Sequence, residues 1–236
     1  MSKSRILSLV LAAVVSAAFA GQTEAASVLF TANNGSASAD LDLTGSTLTI
    51  TLNNLTPAGS TTGAANLLTG LALTPSISGA GFTMTSQSAA QQMVMSTDTT
   101  GSVINGAFNP NWELSTTPDA MYFGGFGGGT PGFPIIGPAI GDTSYPNGGS
   151  SLTSGPHGEY AYKTATFLIT VPGSFSLDSI TGVSFLFNTD GSIVVPGNPP
   201  GTTAVPAVPL PAAAWSGMML LSGLAAAQKF RKRMAR

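Results

Sequence analysis

"ADLDLTGSTLTITL", residues 39 to 52, decides the fold class of this chain. Apolar residues alternate with polar ones on both sides of Gly45 and Ser46, and a period of two is typical of strands with one buried and one solvated face. A glycine-containing pair between two such runs predicts a β-hairpin. The stretch therefore indicates an antiparallel sheet whose Leu and Ile side chains face a core.

The same alternation recurs along the middle of the chain, in short apolar runs separated by Gly, Pro, Ser and Asn. Further predicted strands cover residues 67–73, 81–86, 92–96, 112–115, 120–123, 160–171 and 183–187. No convincing helical period of 3.6 residues lies between the two ends of the chain. About eight or nine short strands at this spacing predict an all-β domain, an antiparallel β-sandwich or a jelly-roll-like ectodomain.

Residues 124–149 interrupt the strand pattern, because Gly and Pro occupy more than half of these positions. Repeated prolines exclude regular structure, so an extended loop is predicted. Its aromatic residues are Phe126, Phe133 and Tyr145. They suggest either a binding surface or a cover over an edge of the sheet, and the cover is the simpler expectation.

The N-terminal residues have the three-part pattern of a secretory signal peptide. Lys3 and Arg5 precede an apolar run, and the small residues Ala18 and Ala20 fit a cleavage site. The prediction is a signal peptide over residues 1–20, with a cut possible up to residue 26; the alternative is an uncleaved membrane helix. A cleaved signal places the mature protein outside the cytoplasm.

The C-terminal residues have the pattern of a membrane anchor. Residues 212–227 carry no charge, and as a helix they would span about 24 Å of a hydrocarbon core of about 30 Å. A transmembrane helix is therefore predicted there, followed by a basic tail over residues 228–236. Its stop-transfer charges, predicted to stay on the cytoplasmic side, are Lys229, Arg231, Lys232, Arg233 and Arg236.

Residues 195–211 contain six prolines. Proline-rich chain is extended, at about 3.1 Å per residue. This segment is predicted to be a stalk between the membrane and an ectodomain over residues 27–194.

Between residues 27 and 211 nine Asp and Glu residues face a single basic residue, Lys163. Nucleic-acid binding needs clustered Lys and Arg, so this acidic interval excludes it as a partner. The chain has no Cys, which excludes disulfides, thiolate metal sites and a cysteine nucleophile. The domain must depend on its own core.

Candidate catalytic residues are sparse. His157 stands near Glu159, and Glu113, Asp119 and Glu159 are the acids that a glycosidase pair would need. Nothing in the sequence pairs these groups, and a loop histidine with solvated acids is the simpler interpretation. The expectation is a protein that is not an enzyme.

Calcium is the one cofactor for which the sequence offers weak candidates. Asp40 and Asp42, two residues apart on a strand, project from the same face. Asn188 and Asp190, in "NTDGS", resemble a fragment of a calcium loop but lack its distal Glu. Surface charge and an ordinary turn are the alternative interpretations.

Val208, Pro209, Leu210, Pro211 and Ala212 spell "VPLPA" directly before the apolar segment and the basic tail. This tripartite order over residues 208–236 resembles the PEP-CTERM class of bacterial sorting signals, specifically its VPLPA variant. The resemblance implies secretion, transient anchoring in the inner membrane, and cleavage near the motif by an exosortase-type processing enzyme. It also implies a Gram-negative envelope and an association with exopolysaccharide or biofilm.

Residues 164–192 also resemble the last strands of many exosortase-dependent surface proteins. Together these features predict an exported cell-surface or extracellular-matrix protein with a structural or adhesive role. The alternative function is a carbohydrate-binding module that recognises exopolysaccharide. Its stacking surface would come from Trp112, Tyr122, Phe123 and Phe126.

Overall fold

The structure is a computed structural model, and it describes residues 26–75, 81–116, 121–124, 132–153 and 158–198. These residues form mostly β-sheet, without an α-helix among them. The strands are β1 (Ala26–Ala32), β2 (Ala37–Thr44), β3 (Thr47–Asn54), β4 (Leu68–Pro75), β5 (Thr83–Met95), β6 (Gly101–Phe108), β7 (Glu113–Thr116), β8 (Met121–Gly124), β9 (Ile135–Ile136), β10 (Glu159–Tyr162), β11 (Thr164–Thr170), β12 (Ile180–Phe187) and β13 (Ile193–Asn198). Short 3₁₀ turns lie at Ala64–Asn66, Ser150–Leu152 and Leu177–Ser179. The predicted β class is confirmed for this part of the chain.

The hairpin predicted from the alternating stretch is formed by β2 and β3. Thr44 pairs with Thr47, which leaves Gly45 and Ser46 as a two-residue loop. Gly45 has a φ of +59°, as the first loop residue of a type II′ turn requires. The inward side chains of β3 are at most 1% exposed, namely Leu48, Ile50 and Leu52. Burial of each contributes about 1.5–3 kcal/mol relative to exposure, which fixes the register of the hairpin.

The strands form a closed circuit. Hydrogen bonding leads in the order β12-β13-β1-β2-β3-β11-β5-β10-β9-β4, and β4 pairs in turn with β12. β8 and β7 continue outward from β4, and β6 pairs with β5. The pairings are antiparallel except that between β9 and β10. Within the described residues, every strand of the circuit therefore has neighbours on both sides.

Two strands belong to both halves of the circuit. The first half of β5, up to Ser88, pairs with β11, whereas Gln92 and the residues after it pair with β10. β13 likewise pairs with β12 through residues 193–196 and with β1 through residues 197–198. The strands between these two corners form two layers whose inward side chains share one core. Its members include Leu48, Ile50 and Phe167 from one layer and Leu71, Val183 and Phe185 from the other.

A second apolar cluster lies on the other face of β10. It contains Tyr160 and Tyr162 of β10 and Met93 and Met95 of β5. Residues from the Gly/Pro-rich segment cover it, namely Ile136, Ala139 and Tyr145. We call this group the satellite cluster.

The Gly/Pro-rich segment is more ordered than the predicted extended loop in its described part, residues 132–149. It contributes β9 to the sheet. Tyr145 is fully buried, and its hydroxyl donates to the carbonyl oxygen of Gly137 at 2.7 Å. The suggestion that Tyr145 forms a binding surface is therefore wrong, because the ring fills the satellite cluster. Phe133 is half-buried with its ring centroid 5.1 Å from that of Phe108, and Phe126 lies outside the described residues.

Several predicted boundaries change. The predicted strands 81–86 and 92–96 are one strand, β5, and the predicted strand 160–171 is divided at Lys163 into β10 and β11. The predicted stalk does not begin at residue 195, because Val195 and Pro196 pair with β12 and Gly197 and Asn198 pair with β1. Proline is tolerated here because β13 lies at a corner where the pairing partner changes.

Truncation of Phe167 tests the shared core. Its ring is fully buried, with its centroid 4.9 Å from that of Trp112. We expect Phe167→Ala to lower the free energy of unfolding by about 3–5 kcal/mol, measured by urea denaturation of the full-length chain in detergent. Leu29→Ala is the matched control, since Leu29 is 52% exposed. Equal losses in the two variants would contradict this core.

Removal of the Tyr145 hydroxyl tests how the Gly/Pro-rich segment is held. Tyr145→Phe leaves the buried carbonyl oxygen of Gly137 without this donor. We expect a loss of about 1–3 kcal/mol in the same urea denaturation. Tyr122→Phe is the control, because Tyr122 is 40% exposed. A Tyr145→Phe variant as stable as this control would show that the bond contributes nothing.

Candidate functional site

A groove opens at the corner where β5 leaves β11 and joins β10. Its volume is about 550 Å³. We call it the corner groove, and its lining residues are Ser88, Ala89, Ala90, Gln91, Gly106, Ala107, Tyr162, Lys163, Thr164 and Thr166. Between Ser88 and Gln92, β5 forms no ladder pair with β10 or β11. This interval of the β5 edge borders the groove instead of a neighbouring strand.

A β-bulge in β6 lies beside the corner groove. The pairing of β5 with β6 shifts register here, since Ala89 pairs with Phe108 but Gln91 pairs with Asn105. Opposite this shift Gly106 has a φ of +135°, which L side chains rarely adopt. The irregularity is a β-bulge, a device that bends a strand and interrupts its regular edge.

Lys163 stands at the turning point between β10 and β11. Its φ is +67°, a left-handed conformation that is uncommon outside glycine. Its backbone N–H donates to the carbonyl oxygen of Ile136, and its own carbonyl oxygen accepts from the N–H of Asn54, each at 2.9 Å. These two bonds fix the conformation that turns the chain from one layer to the other.

The side chain of Lys163 forms an ion pair at the edge of the groove. Its Nζ lies 3.1 Å from Oδ1 of Asp142 and 4.4 Å from the centre of the Tyr162 ring. The Tyr162 hydroxyl donates to the same Oδ1 at 2.6 Å and accepts from the N–H of Ala139 at 3.1 Å. One carboxylate oxygen therefore accepts hydrogen bonds from both Tyr162 and Lys163.

Hydrogen bonding and burial together set the protonation states of this cluster. The bond from Tyr162, then that from Lys163, lowers the pKa of Asp142. Desolvation opposes the charge of Lys163, but its hydrogen bonds with Asp142 and Tyr162 outweigh it and raise the pKa of the ammonium group. Burial, reinforced by the bond to Asp142, raises the pKa of Tyr162. At neutral pH the cluster is a charged Asp142–Lys163 pair with a protonated tyrosine beside it.

The other two tyrosines of the satellite cluster hold the segment that carries Asp142. The Tyr145 hydroxyl donates to Gly137, as above, and the Tyr160 hydroxyl donates to the carbonyl oxygen of Leu152 at 2.8 Å. Burial raises the pKa of both phenols above the ordinary tyrosine range. Both hydroxyls therefore remain donors at any physiological pH.

The corner groove adjoins a mainly polar surface of the sheet, which we call the hydroxyl face. It is formed by the outward side chains of β2, β3, β11 and the first half of β5. Cross-strand rows on it are Ser38–Asn53–Thr164, Asp40–Thr51–Thr166–Ser88 and Asp42–Thr49–Leu168–Ser86. The first row is joined by hydrogen bonds, from Asn53 Nδ2 to Ser38 Oγ at 3.1 Å and from Thr164 Oγ1 to Asn53 Oδ1 at 2.7 Å.

The calcium candidates lie in two separate places. Asp40 and Asp42 are half-exposed on the hydroxyl face, where Asp40 Oδ1 accepts from the Ser27 hydroxyl at 3.3 Å. Asn188 and Asp190 lie in the turn between β12 and β13. No group of three or more His, Cys, Asp and Glu residues suited to a metal ion occurs within the described residues.

The "NTDGS" turn is satisfied internally. Asn188 has a φ of +74°, and its Nδ2 donates to Asp190 Oδ1 and to Ser192 Oγ, both at 3.0 Å. The backbone N–H of Ser192 donates to the same Asp190 oxygen. Hydrogen bonds from Ser192 lower the pKa of Asp190. This geometry matches the turn interpretation, since the Asp190 carboxylate accepts bonds within its own turn.

The remaining candidate residues are dispersed. Glu113 begins β7 and Glu159 begins β10, and both are exposed. His157 and Asp119 lie outside the described residues. Of the aromatics predicted to stack on a glycan, Trp112 is only 2% exposed and its Nε1–H donates to the carbonyl oxygen of Phe133 at 2.8 Å. Trp112 is therefore a core residue, whereas Tyr122 is accessible.

The terminal signals also lie outside the described residues. This holds for Ala18 and Ala20, for the motif Val208–Ala212 and for the basic residues of the tail. Among the residues that are described, none belongs to a helix with the length and apolar character of a membrane span. The chain matches no protein-family model, and no curated protein or solved structure is significantly similar to it.

Sequence reasoning missed the corner groove. Lys163 stands out in the sequence as the one basic residue of a long acidic interval. Its partner Asp142 is 21 positions away, in a segment predicted to be a loop, and no local pattern links the two. The small residues of the groove, Ala89, Ala90 and Ala107, resemble ordinary strand positions.

The pH dependence of stability tests the Asp142 cluster. Because its pKa is lowered on folding, Asp142 stabilises the fold above the ordinary carboxyl pKa of about 4 and loses this effect as the pH falls through the lowered pKa. We expect the wild type to unfold at a higher urea concentration than Asp142→Asn at about pH 6, and this difference to shrink by about pH 3.

Two further variants apportion the effect. Tyr162→Phe and Lys163→Met should each weaken the pH dependence, because Tyr162 lowers the pKa of Asp142 through its hydrogen bond and Lys163 lowers it through a hydrogen bond and its positive charge. Parallel pH profiles for the wild type and Asp142→Asn would contradict a folded-state bond to this carboxylate.

Proposed function

We propose that this chain is an exported protein of the cell surface or extracellular matrix, with a structural or adhesive role. The observation that carries the proposal is the motif Val208–Ala212 followed by the apolar segment and the basic tail, at the opposite end from a signal peptide. On this proposal the tail is a transient transmembrane helix that an exosortase-type enzyme removes. The expected location is the envelope of a Gram-negative bacterium.

The fold is compatible with such processing. β13 ends at Asn198, so nine residues separate the last strand from Val208. As extended chain they reach about 28 Å. Cleavage near the motif would therefore remove no strand from the circuit, and the domain would leave the membrane with its core complete.

The proposed role is non-catalytic, and two observations on the described charged residues are compatible with it. Asp142 and Lys163 neutralise each other, and hydrogen bonds keep both in their charged forms. Glu113 and Glu159 begin strands that have no partner in common. The described residues present an extended polar face and a shallow groove, and both suit a binding or structural role.

A carbohydrate-binding module for exopolysaccharide is the second candidate. The corner groove and the hydroxyl face favour it, because both present many hydrogen-bonding side chains on rigid strands. Trp112, one of the aromatic residues expected to stack on the glycan, is buried in the core and is not accessible to a ligand. Recognition would therefore depend on hydrogen bonds more than on aromatic rings.

Intact mass of the protein recovered from cells and medium tests the main proposal. We expect a form that begins near Gly21 and ends near Pro211. A double change of Pro209→Ala and Pro211→Ala should leave full-length C-termini in the inner membrane. Pro206→Ala, outside the motif, is the matched control and should be processed normally. Recovery of the wild type only as a full-length membrane form would defeat the proposal.

A further inference from the structure

We propose that the corner groove binds a neutral, hydroxyl-rich polysaccharide that continues onto the hydroxyl face. This inference rests on the proposed display of the domain at the cell surface, where such polymers are its neighbours. It narrows the second candidate function to uncharged polysaccharides and names the groove as the site where they bind.

The size and lining of the groove suit a sugar. About 550 Å³ lies within the range of small-molecule sites, about 300–1,000 Å³. The lining combines the hydroxyls of Ser88, Thr164 and Thr166 and the amide of Gln91 with the exposed methyl groups of Ala90 and Ala107. A pyranose presents hydroxyls around its rim and C–H groups on its faces, so it matches both kinds of lining.

Hydrogen bonds already orient two of these polar groups. Thr164 Oγ1 donates to Asn53 at 2.7 Å, and Gln91 Nε2 donates to Asn105 Oδ1 at 2.7 Å. Their remaining acceptor positions are therefore directed in advance, which lowers the entropic cost of binding. The accepting oxygens, Thr164 Oγ1 and Gln91 Oε1, suit sugar O–H donors.

Charge decides between neutral and anionic glycans. Eight carboxylates and one lysine occur among the described residues. Lys163, the cation at the groove, is held 3.1 Å from Asp142 and is neutralised by it. A uronic-acid polymer would meet net repulsion, whereas an uncharged chain would not.

The hydroxyl face provides a path for a polymer beyond one sugar unit. Two groove residues have polar neighbours on the next strand, since Thr166 pairs with Thr51 and Thr164 pairs with Asn53. Neighbouring strands lie about 4.8 Å apart, and successive outward residues on one strand about 6.7 Å apart. The face thus repeats polar contacts in two directions on a rigid support.

Affinity electrophoresis of the full-length chain in detergent tests the inference. The probes are four neutral glycans, dextran, laminarin, xyloglucan and galactomannan, and one anionic glycan, polygalacturonate. We expect retardation by at least one neutral glycan. Polygalacturonate also meets the basic residues of the two termini, so its retardation is compared only between variants that share those termini. Retardation by no neutral glycan overturns the inference.

Paired variants locate the site. Thr166→Val removes one hydroxyl inside the groove without changing its shape, and we expect affinity to fall about fivefold to tenfold. Thr116→Val is the matched control and should bind as the wild type does, because Thr116 is an exposed threonine of β7, outside both the groove lining and the hydroxyl face. Equal losses in both variants, with unchanged urea midpoints, would place binding elsewhere.

Two further variants, Ala107→Leu and Asp142→Asn, test the site without relying on Thr166→Val. Ala107→Leu should fill the groove and abolish retardation, and unchanged binding by this variant would contradict the assignment. Asp142→Asn leaves Lys163 without its counter-charge, so neutral retardation should persist while retardation by polygalacturonate increases above that of the wild type. Equal retardation of the wild type and Asp142→Asn by polygalacturonate would contradict the role of the ion pair in charge selectivity.

The outcome is separable from that of the proposed function. A processed surface protein that no neutral glycan retards would defeat the inference and leave the export proposal intact. A chain that binds a neutral glycan but stays full-length in the inner membrane would do the reverse.

Discussion

The pairing of β4 with β12 is the constraint on which the rest of the described structure depends. It joins residues 68–75 to residues 180–187 and closes the circuit of strands. Without it, Leu71 and Leu73 would lose Val183 and Phe185 as neighbours in the shared core. The chain has no Cys, so no disulfide can substitute for this contact. Cohesion therefore comes from a long-range ladder and the apolar side chains that it brings together.

Closure of the circuit also explains the corner groove. A strand that belongs to both layers must change partner along its length, and β5 does so between Ser88 and Gln92. The bulge at Gly106 and the left-handed turn at Lys163 are the local irregularities that permit this change. Hydrogen bonds with Ile136 and Asn54 hold Lys163 in place. The candidate binding site is thus a consequence of how the layers are joined.

The hairpin of β2 and β3 was predictable from the sequence, because apolar and polar residues alternate along both strands and Gly45 and Ser46 mark the turn. β13 was hidden, since Pro196 and Gly197 resemble a linker and pair only because two other strands end beside them. β6 was missed because most of its residues are exposed and no face of it is consistently apolar. Tyr145 looked like a loop aromatic, yet the satellite cluster buries it. The corner groove depends on contacts between residues 88–107 and 162–166, and no short window of sequence contains both.

The order of the strands along the chain bears on the proposed route of export. β12 and β13 are the last two strands of the described residues, and the circuit cannot close until both are available for pairing. Long-range ladders form slowly, because the chain must lose entropy before these contacts stabilise it. An open circuit exposes strand edges and apolar side chains that favour aggregation. On the proposed route, an anchor on the C-terminal side of β13 would hold the chain at the outer surface of the inner membrane while β4 and β12 pair. Removal of that anchor would then release a domain whose circuit is already closed, so the proposed tail would assist folding as well as delivery.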